Sequence, residues 1–277
     1  MIEKIFITRH GHRRAWTDHS GEPFVTGIVK DDALTAMGET QAQELADYFA
    51  SLPADERPTA IFCSPYYRCL QTATPVADRL HLPIYVEHGL AEWRSTLLRR
   101  PLHQRLPPAP ALRAWFPAVD PAWAPVWQPA RTGEDAARLH ARTAGVARAL
   151  LPAIAARLPA EEHARVLFVS HAAVVIGLMR ALAGAPGLGV RPGCCSLAEL
   201  VPRGKGWAVE VLDCGAHLSE GSRVDWRRWG FEDHGSEYGK DHPPYSEIEE
   251  DPESGNQLHK GETRQETEET SNDEIPT

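Results

Sequence analysis

The first 215 residues alternate between short apolar runs and longer segments in which apolar residues recur at helical spacing. The short runs are rich in β-branched and aromatic residues and predict strands at residues 2–8, 59–63, 83–86, 165–170, 196–201 and 207–212. Helical periodicity predicts helices that begin near Leu34, Tyr67, Glu134 and Ala172. Strands that alternate with helices form a mostly parallel sheet covered on both faces. The pattern therefore predicts an α/β protein with a three-layer αβα sandwich.

Three segments depart from this alternation. The last two strands flank Pro202–Gly206 and predict a hairpin. Residues 94–130 carry many prolines, tryptophans and arginines without a sustained period, which is typical of a functional loop, and we interpret them as a lid or cap insertion. After Asp233 the chain is polar with few large apolar residues. We expect one domain over residues 1–233 and an acidic disordered tail over residues 234–277.

The net charge of −9 is concentrated in that tail. Residues 235–277 hold 13 acidic and 3 basic residues, so that the rest of the chain is close to neutral. The sequence has no basic run, no zinc-ligand spacing and no stretch in which aromatic and basic residues alternate, which disfavours direct binding to nucleic acid.

The cysteine pattern and the hydropathy bear on the compartment. Five cysteines, two of them adjacent at 194 and 195, fit no regular disulfide framework, and we expect them to be small core residues. No signal peptide and no apolar run of membrane-spanning length is present in this sequence. We therefore expect a cytoplasmic or nuclear protein that does not contact a membrane.

Three predicted strands end in residues that can bind or attack an anion. Arg9 and His10 follow the first strand, Ser64 follows the second, and His171 follows the strand at 165–170. Ligands bind at the carboxyl ends of the strands in parallel sheets. We therefore expect these side chains to meet in one pocket, together with Arg68 from the first turn of the next helix.

This combination is suited to phosphoryl transfer. His10 can attack phosphorus through a neutral ring nitrogen if a backbone carbonyl holds its other nitrogen. Arg9 and Arg68 can each grip a phosphate with a planar fork, and His171 can add a hydrogen bond. These groups would form an anion cage that needs no metal.

A proton donor for the leaving oxygen is also required. Glu92 follows the short strand at 83–86, and Trp93 beside it could lower the local polarity. We therefore interpret Glu92 as the donor, with a pKa raised toward neutrality.

These segments, taken together, resemble a known family. Arg9-His10-Gly11, Ser64–Arg68, Glu92 and Val169-Ser170-His171 resemble, in this order, the histidine phosphatase superfamily, also called phosphoglycerate mutase-like. The resemblance spans about residues 2–215. It implies the αβα fold, a phosphohistidine at His10, a phosphate pocket of Arg9, Arg68 and His171, the donor Glu92 and no cofactor.

Within the superfamily, the chain is similar to the branch that contains a subunit of the fungal RNA polymerase III transcription factor TFIIIC and its stand-alone relatives. Arg13 lies where the protein-tyrosine-phosphatase-like branch also has an arginine, and we expect it to contact phosphate or substrate. Ser64 is expected to donate a hydrogen bond in the pocket or to cap a helix, since Pro65 fits a first helical turn. The short acidic end favours a stand-alone enzyme over a TFIIIC subunit.

We therefore expect a phosphatase that hydrolyses a phosphorylated small molecule or a phosphopeptide. Two other functions stay open, an interaction module among TFIIIC subunits and a phosphate mutase. The pair His10 and His12 could instead be half of a metal site, but no aspartates follow the strands to complete it.

Overall fold

A computed structural model describes residues 1–14, 24–28, 30–94 and 102–219. The acidic tail at 234–277 and the first part of the expected lid lie outside these residues. The strands are β1 Lys4–Arg9, β2 Ala60–Cys63, β3 Ile84–Val86, β4 Arg165–Ser170, β5 Leu197–Arg203 and β6 Gly206–Cys214. The α-helices are α1 Ala36–Ser51, α2 Tyr67–Leu80, α3 Ala109–Leu112, α4 Ala136–Arg157 and α5 Ala172–Ala183.

The six strands form one sheet in the order β3-β2-β4-β1-β5-β6. The first four strands in this order are parallel to one another, and β5 runs antiparallel to both β1 and β6. The predicted mostly parallel sheet and the hairpin of its last two strands are therefore confirmed.

Both faces of the sheet are covered because side chains of a strand alternate between them. Phe6 and Leu167 belong to the core cluster that includes α1 and α2. Ile7 and Phe168, one position further along, belong to the cluster that includes α4 and α5. Four central strands buried on both sides need continuous apolar runs, which is the pattern that made them visible in the sequence.

Two glycines bring the loop after β1 directly against the start of α1. A Cβ on Gly11 would lie 2.6 Å from the carbonyl oxygen of Gly38, so a side chain at Gly11 would collide with backbone. The side chain of Thr35 caps α1 by accepting a hydrogen bond from the Gly38 amide. This packing fixes the segment that carries His10.

The segment proposed as a lid contributes to the core where the structure describes it. Leu112, Phe116 and Val119 are buried beside the edge strand β3, and Val119 forms an isolated parallel bridge with Ile84. Trp123 packs against the ring of Phe62. A lid over residues 94–130 stays a prediction, and residues 95–101 lie outside the described part. Within the described part, every helix is too short or too polar to traverse a bilayer.

Candidate active site

The expected site residues meet where the parallel strands end. The amide of His10 donates to the carbonyl of Ser170 at 2.9 Å, and the amide of Ser64 donates to the carbonyl of Val169 at 3.0 Å. These backbone bonds continue the ladders of β1, β4 and β2 by one residue. They place His10, Ser64 and His171 side by side at one edge of the sheet.

His10 is buried and its ring is oriented by its own loop. Nδ1 of His10 lies 2.7 Å from the carbonyl oxygen of Gly11. Burial lowers the pKa of His10 well below its usual value, and the positive charges of Arg68 and Arg9 lower it further. A neutral ring whose Nδ1–H donates to a carbonyl has its lone pair on Nε2. The structure thus has the orientation expected of an imidazole nucleophile.

Glu92 joins His171 and Arg68 in a tight group. Oε2 of Glu92 lies 3.2 Å from Nδ1 of His171 and 3.2 Å from Nη2 of Arg68. Nε2 of His171 lies 2.8 Å from the hydroxyl oxygen of Ser64. Burial lowers the pKa of His171 to about 4, although Glu92 opposes this effect. The neutral ring fits these contacts when Nδ1–H donates to Glu92 and Nε2 accepts from Ser64, because the alternative tautomer turns a lone pair toward the carboxylate.

The expectation of a raised pKa for Glu92 is wrong for the ligand-free pocket. Burial raises the pKa of this carboxyl, but His171, Arg68 and Arg13 together lower it by more, so that the net pKa lies below the ordinary value. The amide of Trp93 also donates to Oε1 of Glu92 at 2.9 Å, which stabilises the charged form. The indole of Trp93 instead donates to the carbonyl of Glu134.

A buried ion pair holds the turn that carries Glu92. Nε of Arg142 lies 2.7 Å from Oε1 of Glu134, and both residues sit at the start of α4 or just before it. Nη1 of Arg142 donates to the carbonyl oxygens of Gly89 and Ala91 at 2.7 and 2.9 Å. The arginine therefore clamps the backbone on the amino-terminal side of Glu92. Sequence analysis missed this pair, since nothing in α4 marks one arginine among several.

Arg68 is fully buried in a set of acceptors. Its Nη1 donates to the carbonyl of Lys30 at 3.0 Å and lies 3.7 Å from Oδ1 of Asp31. Asp31 also accepts the amide hydrogen of Tyr67 at 2.8 Å, and its pKa is raised by burial. Sequence analysis missed Asp31. It lies in a loop without periodicity, and only the fold brings it against α2.

Arg9 and Arg13 complete a group that we call the guanidinium cage, namely Arg9, Arg13 and Arg68. Nη1 of Arg9 donates to the carbonyl of Pro192 at 3.0 Å, and the amide of Cys195 donates back to the carbonyl of Arg9. Arg13 is buried, and its Nη1 lies 3.6 Å from Oδ2 of Asp32. All three guanidiniums lower the pKa of His10, which shows that their charge reaches the reacting ring.

The backbone adds to this positive potential. Tyr66 and His171 are the residues that precede α2 and α5, so the amino-terminal ends of both helices lie at the pocket. Helix amino termini favour anions because their first amides are unpaired and the helix dipole is positive there. Both the side chains and the helices therefore favour a phosphate-sized anion.

The same pocket contains a possible metal-ligand group. Ligand atoms of His10, Glu92 and His171 all lie within 4.8 Å of one another. The guanidinium cage opposes a cation at this position, whereas it favours an anion. The alternative pairing of His10 with His12 is not formed by contacts of the described residues, since Nδ1 of His12 lies 3.0 Å from the hydroxyl of Thr35.

Comparison with known proteins identifies the family. Residues 5–214 match the sequence profile of the histidine phosphatase superfamily, branch 1, which is more than half of the chain. The chain belongs to the histidine phosphatase superfamily.

Two curated members of this superfamily match parts of the chain. The transcription factor tau 55 kDa subunit of Saccharomyces cerevisiae is 34% identical over 212 residues, which are 71% of this chain and 47% of the yeast protein. The ecdysteroid-phosphate phosphatase of Drosophila melanogaster is 28% identical over 149 residues, which are 43% of this chain and 17% of the fly protein. The chain thus spans about half or less of the length of these relatives.

A solved structure of the superfamily has the same fold. The ecdysone phosphate phosphatase of Bombyx mori, in complex with tungstate, superposes with a TM-score of 0.58 at 22% identity. The match covers 76% of this chain and 93% of the silkworm chain. The histidine phosphatase fold expected from the sequence is confirmed.

Proposed function

We propose that the chain is a phosphatase that hydrolyses phosphate monoesters through a phosphohistidine on His10. The observation that carries this proposal is the convergence of His10, Glu92 and His171 within 4.8 Å beside the guanidinium cage. A nucleophile, a carboxyl group and concentrated positive charge are the three requirements of phosphoryl transfer to a side chain. Membership of a superfamily that includes phosphatases supports the same conclusion.

In the first step, Nε2 of His10 attacks phosphorus and the ester P–O bond breaks. The leaving oxygen takes the proton of the Glu92 carboxyl, and the equatorial oxygens are stabilised by Arg9, Arg68 and His171. Arg13 contributes a further contact to phosphate or substrate. Ser64 acts through His171, whose Nε2 it contacts, and so positions a phosphate ligand rather than binding phosphate itself.

The proton on Glu92 needs an explanation, because the empty pocket keeps this carboxyl ionised. The cations that lower its pKa are the ones that a phosphate dianion would neutralise. Substrate binding therefore raises the pKa of Glu92, and the proton is acquired as the ester enters. The donor would be loaded only when there is a leaving group to protonate.

In the second step, water attacks phosphohistidine and the N–P bond breaks. The Glu92 carboxylate accepts the proton of that water, which restores the starting state with phosphate bound. No step needs a metal ion, since the guanidinium cage supplies the positive charge. We therefore expect EDTA to leave the activity unchanged.

Turnover of 4-nitrophenyl phosphate by the purified chain tests this proposal. The His10→Ala variant should lose hydrolysis, with Arg79→Ala as a control that removes an exposed cation of α2, paired with Asp47. Hydrolysis by His10→Ala at the rate of the unmodified chain would refute the proposal. Loss of activity in EDTA that added metal restores would favour a metal site at the same residues.

The substrate class follows from the size of the charge at the pocket. Arg13 beside the cage favours an aryl phosphate such as phosphotyrosine in a peptide, and a small phosphorylated metabolite is the other class that these cations suit. A screen over phosphopeptides and sugar phosphates, scored by kcat/KM, separates the two classes.

A role in a nuclear transcription complex is a second candidate function. It is favoured by the 34% identity to the yeast transcription factor tau 55 kDa subunit. Purification of the tagged chain from cells would then recover TFIIIC subunits, and it would do so equally well with His10→Ala. Recovery of those subunits together with hydrolysis would mean that one domain serves both purposes.

A further inference from the structure

Arg94 lies beside the phosphate pocket, two residues after Glu92 and against the ring of Tyr66. The centroid of the Tyr66 ring is 5.0 Å from the centroid of the His171 ring. The guanidinium carbons of Arg68 and Arg94 lie 4.7 and 5.7 Å from the Tyr66 centroid. Since both guanidiniums contact one ring, their separation is at most about 10 Å. Arg94 is therefore within reach of a substrate whose phosphate is in the cage.

The head group of Arg94 is held in place at two of its three nitrogens. Nε donates to the hydroxyl of Tyr66 at 2.8 Å, and Nη1 donates to the carbonyl of Gln104 at 2.9 Å. The side-chain amide of Gln104 in turn donates to the carbonyl of Gly27 at 3.2 Å, which joins two loops around the arginine. Nη2 has no hydrogen-bond partner among the described residues, and it is open to solvent.

The charge of Arg94 also differs from that of the other arginines near the pocket. Arg68 lies near Asp31 and Glu92, and Arg142 is paired with Glu134. Within the described residues, no carboxylate forms an ion pair with Arg94. Two neutral acceptors fix its orientation without cancelling its charge. A guanidinium ordered in advance loses less conformational entropy when it binds an anion.

We propose that Arg94 forms a second anion subsite, which binds a carboxylate or a second phosphate on the substrate. The proposal rests on the proposed function for the identity of the first anion, which is the phosphate held by the guanidinium cage. The Tyr66 ring fills the space between the two guanidiniums, so the two charged groups of the ligand are separated by a spacer of about the size of an aryl ring. The subsite selects substrates with two anionic groups.

Calorimetric binding of two phosphonates tests the subsite without turnover. Phenylphosphonate carries only the first anion, and 4-carboxyphenylphosphonate carries both. The unmodified chain should bind the carboxylated compound about tenfold more tightly, because a hydrogen bond to a charged group contributes about 1.5–3 kcal/mol, part of which offsets desolvation.

Two variants separate charge from structure. Arg94→Gln keeps a donor for the Tyr66 hydroxyl but removes the charge, and it should bind both phosphonates equally. Arg94→Lys keeps the charge and should retain most of the preference, and the remote control Arg79→Ala should retain all of it.

Equal binding of the two phosphonates by the unmodified chain, or failure to bind either, would overturn the subsite. A preference that survives in Arg94→Gln would also overturn it, because some other group would then bind the carboxylate. A preference that depends on Arg94 in a chain that hydrolyses no monoester would support the subsite and refute the proposed hydrolysis. The two failures are therefore distinguishable.

Discussion

The hydroxyl oxygen of Ser64 lies 2.8 Å from Nε2 of His171, although 107 residues separate them in the chain. The contact exists because β2 and β4 are adjacent and parallel, and each places one polar residue just past its end. Both residues are fully buried. Ser64 therefore determines which ring nitrogen of His171 faces Glu92.

Removal of that hydroxyl should disturb His171 more than the fold. In Ser64→Ala, Nε2 of His171 loses its donor, at a cost of about 1–2 kcal/mol in the free energy of unfolding. We expect kcat to fall about tenfold, because the ring is no longer held in one tautomer. Nitrogen-15 NMR of His171 measures the tautomer directly. An unchanged His171 spectrum together with unchanged kcat would contradict the positioning role.

The clamp by Arg142 predicts an effect on both stability and activity. Replacement by methionine leaves the buried Glu134 without its partner and should lower the free energy of unfolding by roughly 3–5 kcal/mol. It should also lower kcat, because the turn before Glu92 loses two hydrogen bonds. Denaturant titration and steady-state kinetics measure the two effects. Arg138→Ala, which removes an exposed arginine of the same helix, should change neither quantity appreciably, and equal effects of both variants would refute the clamp.

The role of Glu92 can be tested through the leaving group. In Glu92→Gln no proton is available, so hydrolysis of an alkyl phosphate should fall by about 10²–10⁴. Hydrolysis of 4-nitrophenyl phosphate should fall much less, because nitrophenolate leaves without protonation. The ratio of the two kcat values measures the effect. An equal loss for both substrates would mean that Glu92 is not the donor to the leaving oxygen.

The electrostatics of the pocket predict the acid limb of the pH profile. Burial and the guanidinium cage lower the pKa of His10, so its nucleophilic lone pair persists as the pH falls through about 6.5, where an ordinary histidine is protonated. The acid limb of kcat/KM should therefore lie below pH 6.5. In Arg9→Gln one of the cations is lost, the pKa of His10 rises, and the limb should move to higher pH. A limb at or above pH 6.5 in the unmodified chain would contradict this account.

The sequence was most informative where secondary structure and chemistry coincide. Apolar runs that end in Arg9-His10 and Ser170-His171 predict both a strand and the polar residue that follows it. Because parallel strands end at one edge, the meeting of His10 and His171 could be predicted from order alone. Helix α2 could be placed for a similar reason, since Ser64 and Pro65 mark where it begins.

The remaining parts depend on contacts that no local pattern encodes. Asp31 and Arg142 act through residues far away in the chain, so their partners become visible only in the folded protein. The pKa of Glu92 was expected to follow its neighbour Trp93. It instead follows Arg68 and Arg13, because charges brought close by the fold outweigh an adjacent ring whose polar group points elsewhere.

The central claim is that His10 becomes covalently phosphorylated during turnover. Rapid acid-free quenching of the chain with an aryl phosphate, followed by peptide mass spectrometry, measures this most directly. The account predicts one phosphoryl group on His10 that is labile in acid and stable in alkali, and that is absent from His10→Ala. Turnover without that species, or phosphorylation of a different residue, would contradict it.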